Sequence, residues 1–225
     1  MGSYTFTSFK TYLKLRCGGN DAFDNYYGVF VNGAYRFLTT SDTIWGIKRR
    51  LYFPELEASD TTQSTVDGTA YISVPTDCLV VREIYDRTNN RRLDWIPWTE
   101  YIKKTDKSDT SSENEPLKWI RSGGYLFLYP TPDAVYAMTV YYKKRPADLS
   151  GASDVTVIGK EWDDIILEVA TFMARNWMNE PERAEIAKKT AAEMIGGLMT
   201  VYGAEERARR ETVRPSEDSY LGNHY

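Results

Sequence analysis

The chain has 225 residues, 42% apolar and 27% charged, with a formal net charge of -4. That length allows one large domain or two small ones around a real core. The acidic balance argues against a protein that grips nucleic acid over its whole surface, because such binding is mostly phosphate neutralisation. The single histidine, His224, lies one residue from the end, which removes most histidine-based catalysis and nearly all histidine-rich metal sites. Cys17 and Cys78 stand far apart without metal or redox spacing and read as reduced thilos of a protein made in a reducing cytosol. No signal peptide is expected at the start, and no stretch reaches the ~18 apolar residues of a membrane span. The 17 tyrosines suit half-buried sheets and subunit contacts. Residues 1–53 carry seven Lys/Arg against three Asp/Glu, and the remainder 21 against 29. A mildly basic start facing an acidic remainder could orient subunits, and a solvated surface explains it equally well.

In chain order, Phe6, Phe9 and Leu13 fall at helical spacing over 5–16, and Cys17-Gly18-Gly19 ends that helix. Asn20 or Asp21 can cap a second helix, with Phe23, Tyr26/Tyr27, Phe30, Ala34 and Phe37/Leu38 on one face. Gly28 and Gly33 weaken that helix unless another element packs closely there. From Thr43 the period changes to two: Ile47, Leu51 and Phe53 alternate with Lys48, Arg50 and Tyr52, as in a half-buried strand. Residues 57–68 read as a loop. Strands follow at 68–75 and 79–86, then a turn at Thr88-Asn89-Asn90 and a returning arm over 92–97. Residues 103–116 are polar, charged and free of aromatics, which predicts an exposed loop. Leu117 to Ile120 and Tyr125 to Tyr129 pair across Gly123-Gly124, whose backbone supplies the positive φ of a tight turn, and Pro130 and Pro132 stop the ladder. Over 134–143, Tyr136, Met138, Val140 and Tyr142 share a face. The last third is helical: Trp162, Ile165, Ile166, Val169, Phe172, Met173 and Trp177 form one stripe, and Ala184, Ala187, Ala191, Met194/Ile195, Leu198 and Tyr202 form a second, opened by Pro181. The predicted fold class is α+β: a helical bundle from 1–42 and 160–210, an antiparallel β subdomain of four to seven strands inserted at 43–159, and a loose tail at 211–225.

Chemistry is sparse. Glu161, Asp163 and Asp164 form the best carboxylate group; they could bind a metal or act as acid and base, but acids in a helix's first turn are expected to serve the cap and dipole. The glycine pairs match no phosphate loop. Cys17 has no histidine partner and reads as a buried thiol. Arg207, Arg209, Arg210 and Arg214 form the densest basic group, diluted by Glu205, Glu206 and Glu211; a salt-bridged helix end is the plain reading, and docking with a tail that orders on a partner is the functional one. No cofactor is called for.

The order GTAYISVPTDCLVVREIYD, LDWIPWTEY, a polar loop, PLKWIRSGGYLFLYPTPDAVYAMTVYYKKRPADLS and then EWDDIILEVATFMA resembles the head-to-tail adaptor (connector) proteins of tailed bacteriophages. The residues that carry it are Gly68, Tyr71 and Val74-Pro75, then Leu126, Leu128, Pro130 and Pro132, then Tyr141, Tyr142, Lys143, Pro146 and Leu149. The first group is about one residue off the family spacing. The likeness spans roughly 20–205 and is strongest over 116–173. It implies a structural protein of the virion at the capsid–tail junction. Copies, twelve in the usual case, would form a ring that joins the portal protein to a tail nozzle or tail tube. Genome DNA would pass through its channel without specific binding, no enzyme activity or cofactor is implied, and no membrane is involved. On this reading Arg207, Arg209, Arg210, Arg214, Tyr220 and Tyr225 are the candidate portal-docking residues. Lys103, Lys104, Asp106 and Lys107 are the candidate tail-side loop, with 57–66 beside them. Two other readings stand next to it: a β-rich ligand- or receptor-binding tail module, against which the C-terminal helices argue, and an enzyme built on Glu161, Asp163 or Asp164.

Overall fold

The computed structural model describes residues 3–19, 21–41, 44–45, 51–105 and 113–213, with 201–213 as backbone alone. Among these, five α-helices occur: α1 (Phe6–Arg16), α2 (Asp24–Thr40), α3 (Trp98–Thr105), α4 (Asp163–Trp177) and α5 (Pro181–Val213). Seven strands accompany them: β1 (Glu57–Asp60), β2 (Tyr71–Ser73), β3 (Cys78–Asp86), β4 (Arg91–Trp95), β5 (Lys118–Ser122), β6 (Tyr125–Tyr129) and β7 (Met138–Lys144). The fold is therefore mixed α and β. The chain divides into two compact units, Met1–Arg50 with Leu149–Tyr225, and Leu51–Asp148.

In the helical unit α1 packs on α2 and α4, α2 on α4, and α4 on α5. The expected stripe of α1 is the buried one: Phe6, Phe9 and Leu13. Thr5 caps it, its hydroxyl accepting from the Ser8 N–H at 3.2 Å. At the other end Gly18 takes φ 87°, and the Gly18 and Gly19 N–H groups bond back to the Leu15 and Lys14 carbonyls, the αL stop that glycine makes without strain. Asp21 does not cap α2. It opens a short 3-10 turn, Asp21–Phe23, and pairs with Lys14, as Asp24 does; Asn20 lies outside the described residues. The face of α2 agrees with the expected one at Tyr27, Ala34 and Leu38, which are buried, and is completed by Val31 and Tyr35, while Phe23, Tyr26 and Phe30 gather around the Trp177 ring at 5.3, 5.1 and 5.9 Å. Sequence spacing admits both faces, because aromatic residues line each.

Close packing accounts for Gly28 but not for Gly33, where a Cβ would make an ordinary contact. A Cβ at Gly28 would lie 2.9 Å from Phe6 Cζ, and one at Gly33 would lie 3.4 Å from Met173 Sδ. On α4, Ile165, Ile166, Val169 and Ala170 are fully buried, and Ala184, Ala187, Ala191 and Ile195 of α5 are buried as read from sequence. Each large buried aliphatic group adds about 1.5–3 kcal/mol, and the alanines allow the helix surfaces to approach closely.

The other unit carries one sheet in the order β1-β7-β3-β4-β5-β6-β2. Its pairs are antiparallel except β4 and β5, which run parallel through Asp94–Lys118 and Trp95–Trp119. That corrects the all-antiparallel expectation: α3 lies between the two strands and reverses the chain once more than a hairpin would. Ala58 of edge strand β1 and Ile72 of edge strand β2 pack on the same core as Ile84, Leu93, Trp119, Leu126, Leu128, Met138, Val140 and Tyr142. Two edges sharing one core require the sheet to curl. The expected face of β7 is the observed one, with Met138, Val140 and Tyr142 buried and Tyr136 packed against them, and Gly123 takes φ 58° at the first central position of the β5–β6 turn.

Three further expectations change. Leu51–Phe53, read as the end of a strand, lead instead into a 3-10 turn at Pro54–Leu56, with Phe53 and Leu56 buried; Ile47, Lys48 and Arg50 lie outside the described residues. Residues 57–60, read as loop, form β1, because an edge strand tolerates polar and charged side chains. Lys103 and Lys104, read as loop, occupy the last turn of α3. The Pro97 carbonyl accepts the Glu100 and Tyr101 N–H groups at 2.9 and 3.1 Å and starts that helix; eight residues are too few for the helical period to stand out.

Candidate interaction surfaces

The β6 alternation sends Leu126 and Leu128 into the core and leaves Tyr125, Phe127 and Tyr129 on the opposite face. α3 covers part of that face. Its Tyr101 is buried with Ile96 and Ile120, and Phe127 and Tyr129 pack against them; burial pushes the Tyr101 phenol pKa up. Trp98 stacks on Tyr101 at 5.4 Å and meets Phe127 edge-on at 5.8 Å. Tyr71 of β2 lies 4.8 Å from Tyr125 and 6.0 Å from Phe127. The result is a continuous aromatic sheet-and-helix face around Phe127. Three of its rings, Trp98, Tyr71 and Tyr125, remain 42%, 45% and 47% exposed. Side chains of this size carry about 150–250 Å² each, so the three leave roughly 200–300 Å² of aromatic surface open.

Lysines border this face. Lys118 and Lys104 both reach Glu100, at 3.1 and 3.9 Å, and the Lys104 ammonium lies 5.4 Å from the Tyr129 ring centre. Lys103 is exposed, and among the described residues no carboxylate pairs with it. Asp106 and Lys107, expected beside them, lie outside the described residues.

A second feature of this unit is a shallow cleft of about 420 Å³ lined by Leu79, Val80, Val81, Arg82, Trp95, Trp119 and Arg121. Arg121 donates to the Leu79 carbonyl at 2.8 Å, and Arg82 pairs with Glu57 at 3.0 Å. Trp95 is 60% exposed at its rim. Neither this cleft nor the aromatic face was singled out from sequence. The signal was present in the bare count of aromatic residues, but which ones face outward depends on register.

The carboxylate group resolves into a structural lock. Asp163 is buried and accepts the Tyr4 N–H at 2.7 Å, with the Thr156 hydroxyl at 3.2 Å; Asp164 accepts the Tyr4 phenol at 2.9 Å. Burial raises the Asp163 pKa despite these donors. No side chain caps the start of α4, so Asp163 and Asp164 stand in its first turn but direct their oxygens to Tyr4 and Thr156, while Glu161 lies in the preceding 3-10 turn, Lys160–Trp162. Among the described residues no group of three or more His, Cys, Asp or Glu could hold a metal ion. Cys17 and Cys78 are free and buried, and burial raises both thiol pKa values.

Two polar contacts that sequence did not point to complete the helical unit. Asn32 binds Leu149 twice, its amide donating to the carbonyl at 2.9 Å and its oxygen accepting the N–H at 2.8 Å. Arg175, buried in α4, donates to the Arg16 carbonyl at the end of α1 and to Glu180. The Asn32 contact gives the final leucine of the exit motif, Leu149, a physical role: it fastens the chain where it leaves the β unit. Of the remaining candidates, Arg207, Arg209 and Arg210 lie on the backbone of α5, and Arg214, Tyr220 and Tyr225 lie outside the described residues. No described helix is long and apolar enough to cross a membrane.

Exposed aromatic surface bordered by charge, carried on an internally locked scaffold, is the equipment of a protein that fits against other proteins. The class is that of phage head–tail adaptors: the family model described as SU10 adaptor protein matches residues 4–216, and the chain belongs to that family. A search of curated proteins finds no match.

Proposed function

We propose that this chain is the structural head-to-tail adaptor of a tailed bacteriophage. Copies of it, twelve in the expected case, close into a ring that seats on the portal, receives the tail nozzle or tail tube, and extends the channel for genome DNA. The observation that carries this reading is the adaptor family match from residue 4 to residue 216. In the assembled ring, α1, α2, α4 and α5 form a helical bundle. A closed ring needs two unlike faces per subunit, and the two units offer chemically different surfaces for them. The end of α5 with Arg207, Arg209, Arg210 and Arg214, continued by Tyr220 and Tyr225, docks on the portal. The region of Lys103, Lys104, Asp106 and Lys107 faces the tail. Genome DNA passes through the channel without specific binding.

The test is to mix the purified full chain with portal and image the product by negative stain. An annulus stacked on the portal is the expected result, and its absence at saturating concentration overturns the reading. Deleting 211–225 should weaken portal binding; unchanged binding rejects that placement of the portal contact.

A further inference from the structure

The geometry points to the aromatic face of α3, β6 and β2 as the surface that grips the tail-side protein, by taking an acidic segment with at least one large apolar side chain. This rests on the adaptor reading and gives its tail-side contact a chemistry. Trp98, Tyr71 and Tyr125 ring the half-buried Phe127 and keep nearly half their surface in water. Rigid aromatic groups held by their neighbours lose little entropy on binding and are the residue types that dominate interface energetics. Each has a ring partner: Trp98 is stacked on buried Tyr101, and Tyr71 contacts both Tyr125 and Phe127.

The charge around the face selects the occupant. Lys104 and Lys118 border it, Lys103 is exposed on the same last turn of α3, and Glu100 is the one described carboxylate within ion-pair distance of Lys104 and Lys118. Two positive charges are left over, so a second copy of the same face would be repelled and a carboxylate-bearing partner attracted. Duplex DNA is the other polyanion at hand. Its bases are stacked inside the helix and cannot engage exposed rings, and Glu100 in the middle of the lysines opposes a phosphate track. A protein segment satisfies both halves of the face at once, carboxylates on the lysines and an apolar side chain over Phe127.

The test uses heads that carry portal and the full-length chain, incubated with tails of the same phage, with tailed particles counted by negative stain. Two variants are compared with the unaltered chain: Tyr71→Ser with Tyr125→Ser, and Lys103→Glu with Lys104→Glu. These side chains are exposed or border the face, and thermal melts of both variants check that folding survives. Both variants are expected to keep the ring on the portal and to lower tail joining about tenfold or more; raised salt should weaken joining by the unaltered chain and have less effect on the lysine variant. Tail joining at the unaltered level by both variants overturns the inference. Loss of the ring from the heads also overturns it, because the face then lies between subunits. Inhibition of joining by short random-sequence duplex DNA overturns it in favour of a phosphate site. Failure of the unaltered chain to seat on the portal refutes the underlying adaptor reading instead and takes this inference with it.

Discussion

Both units have apolar cores, but they join their segments by different means. In the helical unit the chain arrives in two pieces, up to residue 50 and from residue 149 onward, and side-chain polar contacts fasten one piece to the other. Asn32 holds Leu149, Arg175 holds the Arg16 carbonyl, and Asp163 holds Tyr4. The β unit is one continuous stretch, and its strands are joined by backbone ladders around an apolar core. Polar locks are directional and tolerate little displacement, so they fix how distant segments meet. An apolar core is non-directional and frees the outer sheet face for other uses. In this protein the β unit spends that freedom on Trp98, Tyr71 and Tyr125, which stay exposed.

Changes on either side of this contrast should have unequal consequences. The largest loss is expected at Leu126, fully buried at the centre of the β core. Leu126→Ala should cost about 3–4 kcal/mol from lost burial and the cavity left behind. Urea unfolding would measure it, and hydrogen exchange should rise first within 51–148. Arg175→Ala comes next. It leaves the last carbonyl of α1 without its charged donor, at about 2–3 kcal/mol, and exchange should rise in α1 while the β unit stays protected. Exchange rising equally in both units would show that the locks are not confined to the helical unit. Asn32→Ala leaves both backbone groups of Leu149 without their partner and should cost about 1–2 kcal/mol, read from the same urea curves.

The smallest effect is a change of slope rather than of level. Asp163 has its pKa raised by burial from an ordinary 3.8. The folded state therefore keeps that proton to higher pH, and the resulting stability is full below the unfolded value and is lost as pH rises through the folded one. Asp163→Asn should remove this fall, flattening urea midpoints as pH climbs from about 4. Asp154 moves the other way, held below its usual range by the Ser150 and Gly151 N–H groups. Its contribution is present above the unfolded pKa and is lost as pH falls through the folded one, and the Asp163→Asn variant should retain that acid-side loss.

Local signals account for what the sequence made legible. Phe6, Phe9 and Leu13 on α1, the alanine stripe of α5, the inward residues of β7 and the turn at Gly123 are set by periodicity and by glycine chemistry, which act within a few residues. The adaptor likeness was likewise carried by an ordered string of short structural phrases. What required the tertiary structure was every choice between two equally apolar alternatives. α2 is aromatic on both faces, and contact with α1 and α4 decided that Tyr27 and Val31 go in while Tyr26 and Phe30 meet Trp177. β1 and α3 are too short or too polar to declare themselves and exist because β7 and the outer sheet face accept them. Asn32 and Arg175 look like ordinary helix residues until partners over a hundred positions away arrive in space. The candidate site followed the same rule: Lys103 and Lys104 could be named from charge alone, but the aromatic face beside them comes into being only when the pairing of β2 with β6 and the packing of α3 bring Tyr71, Tyr125, Phe127 and Trp98 together. Composition and period determine what each segment can form; the pairing of distant segments determines which side is left for a partner, because that choice is made by burial shared between elements that no single stretch contains.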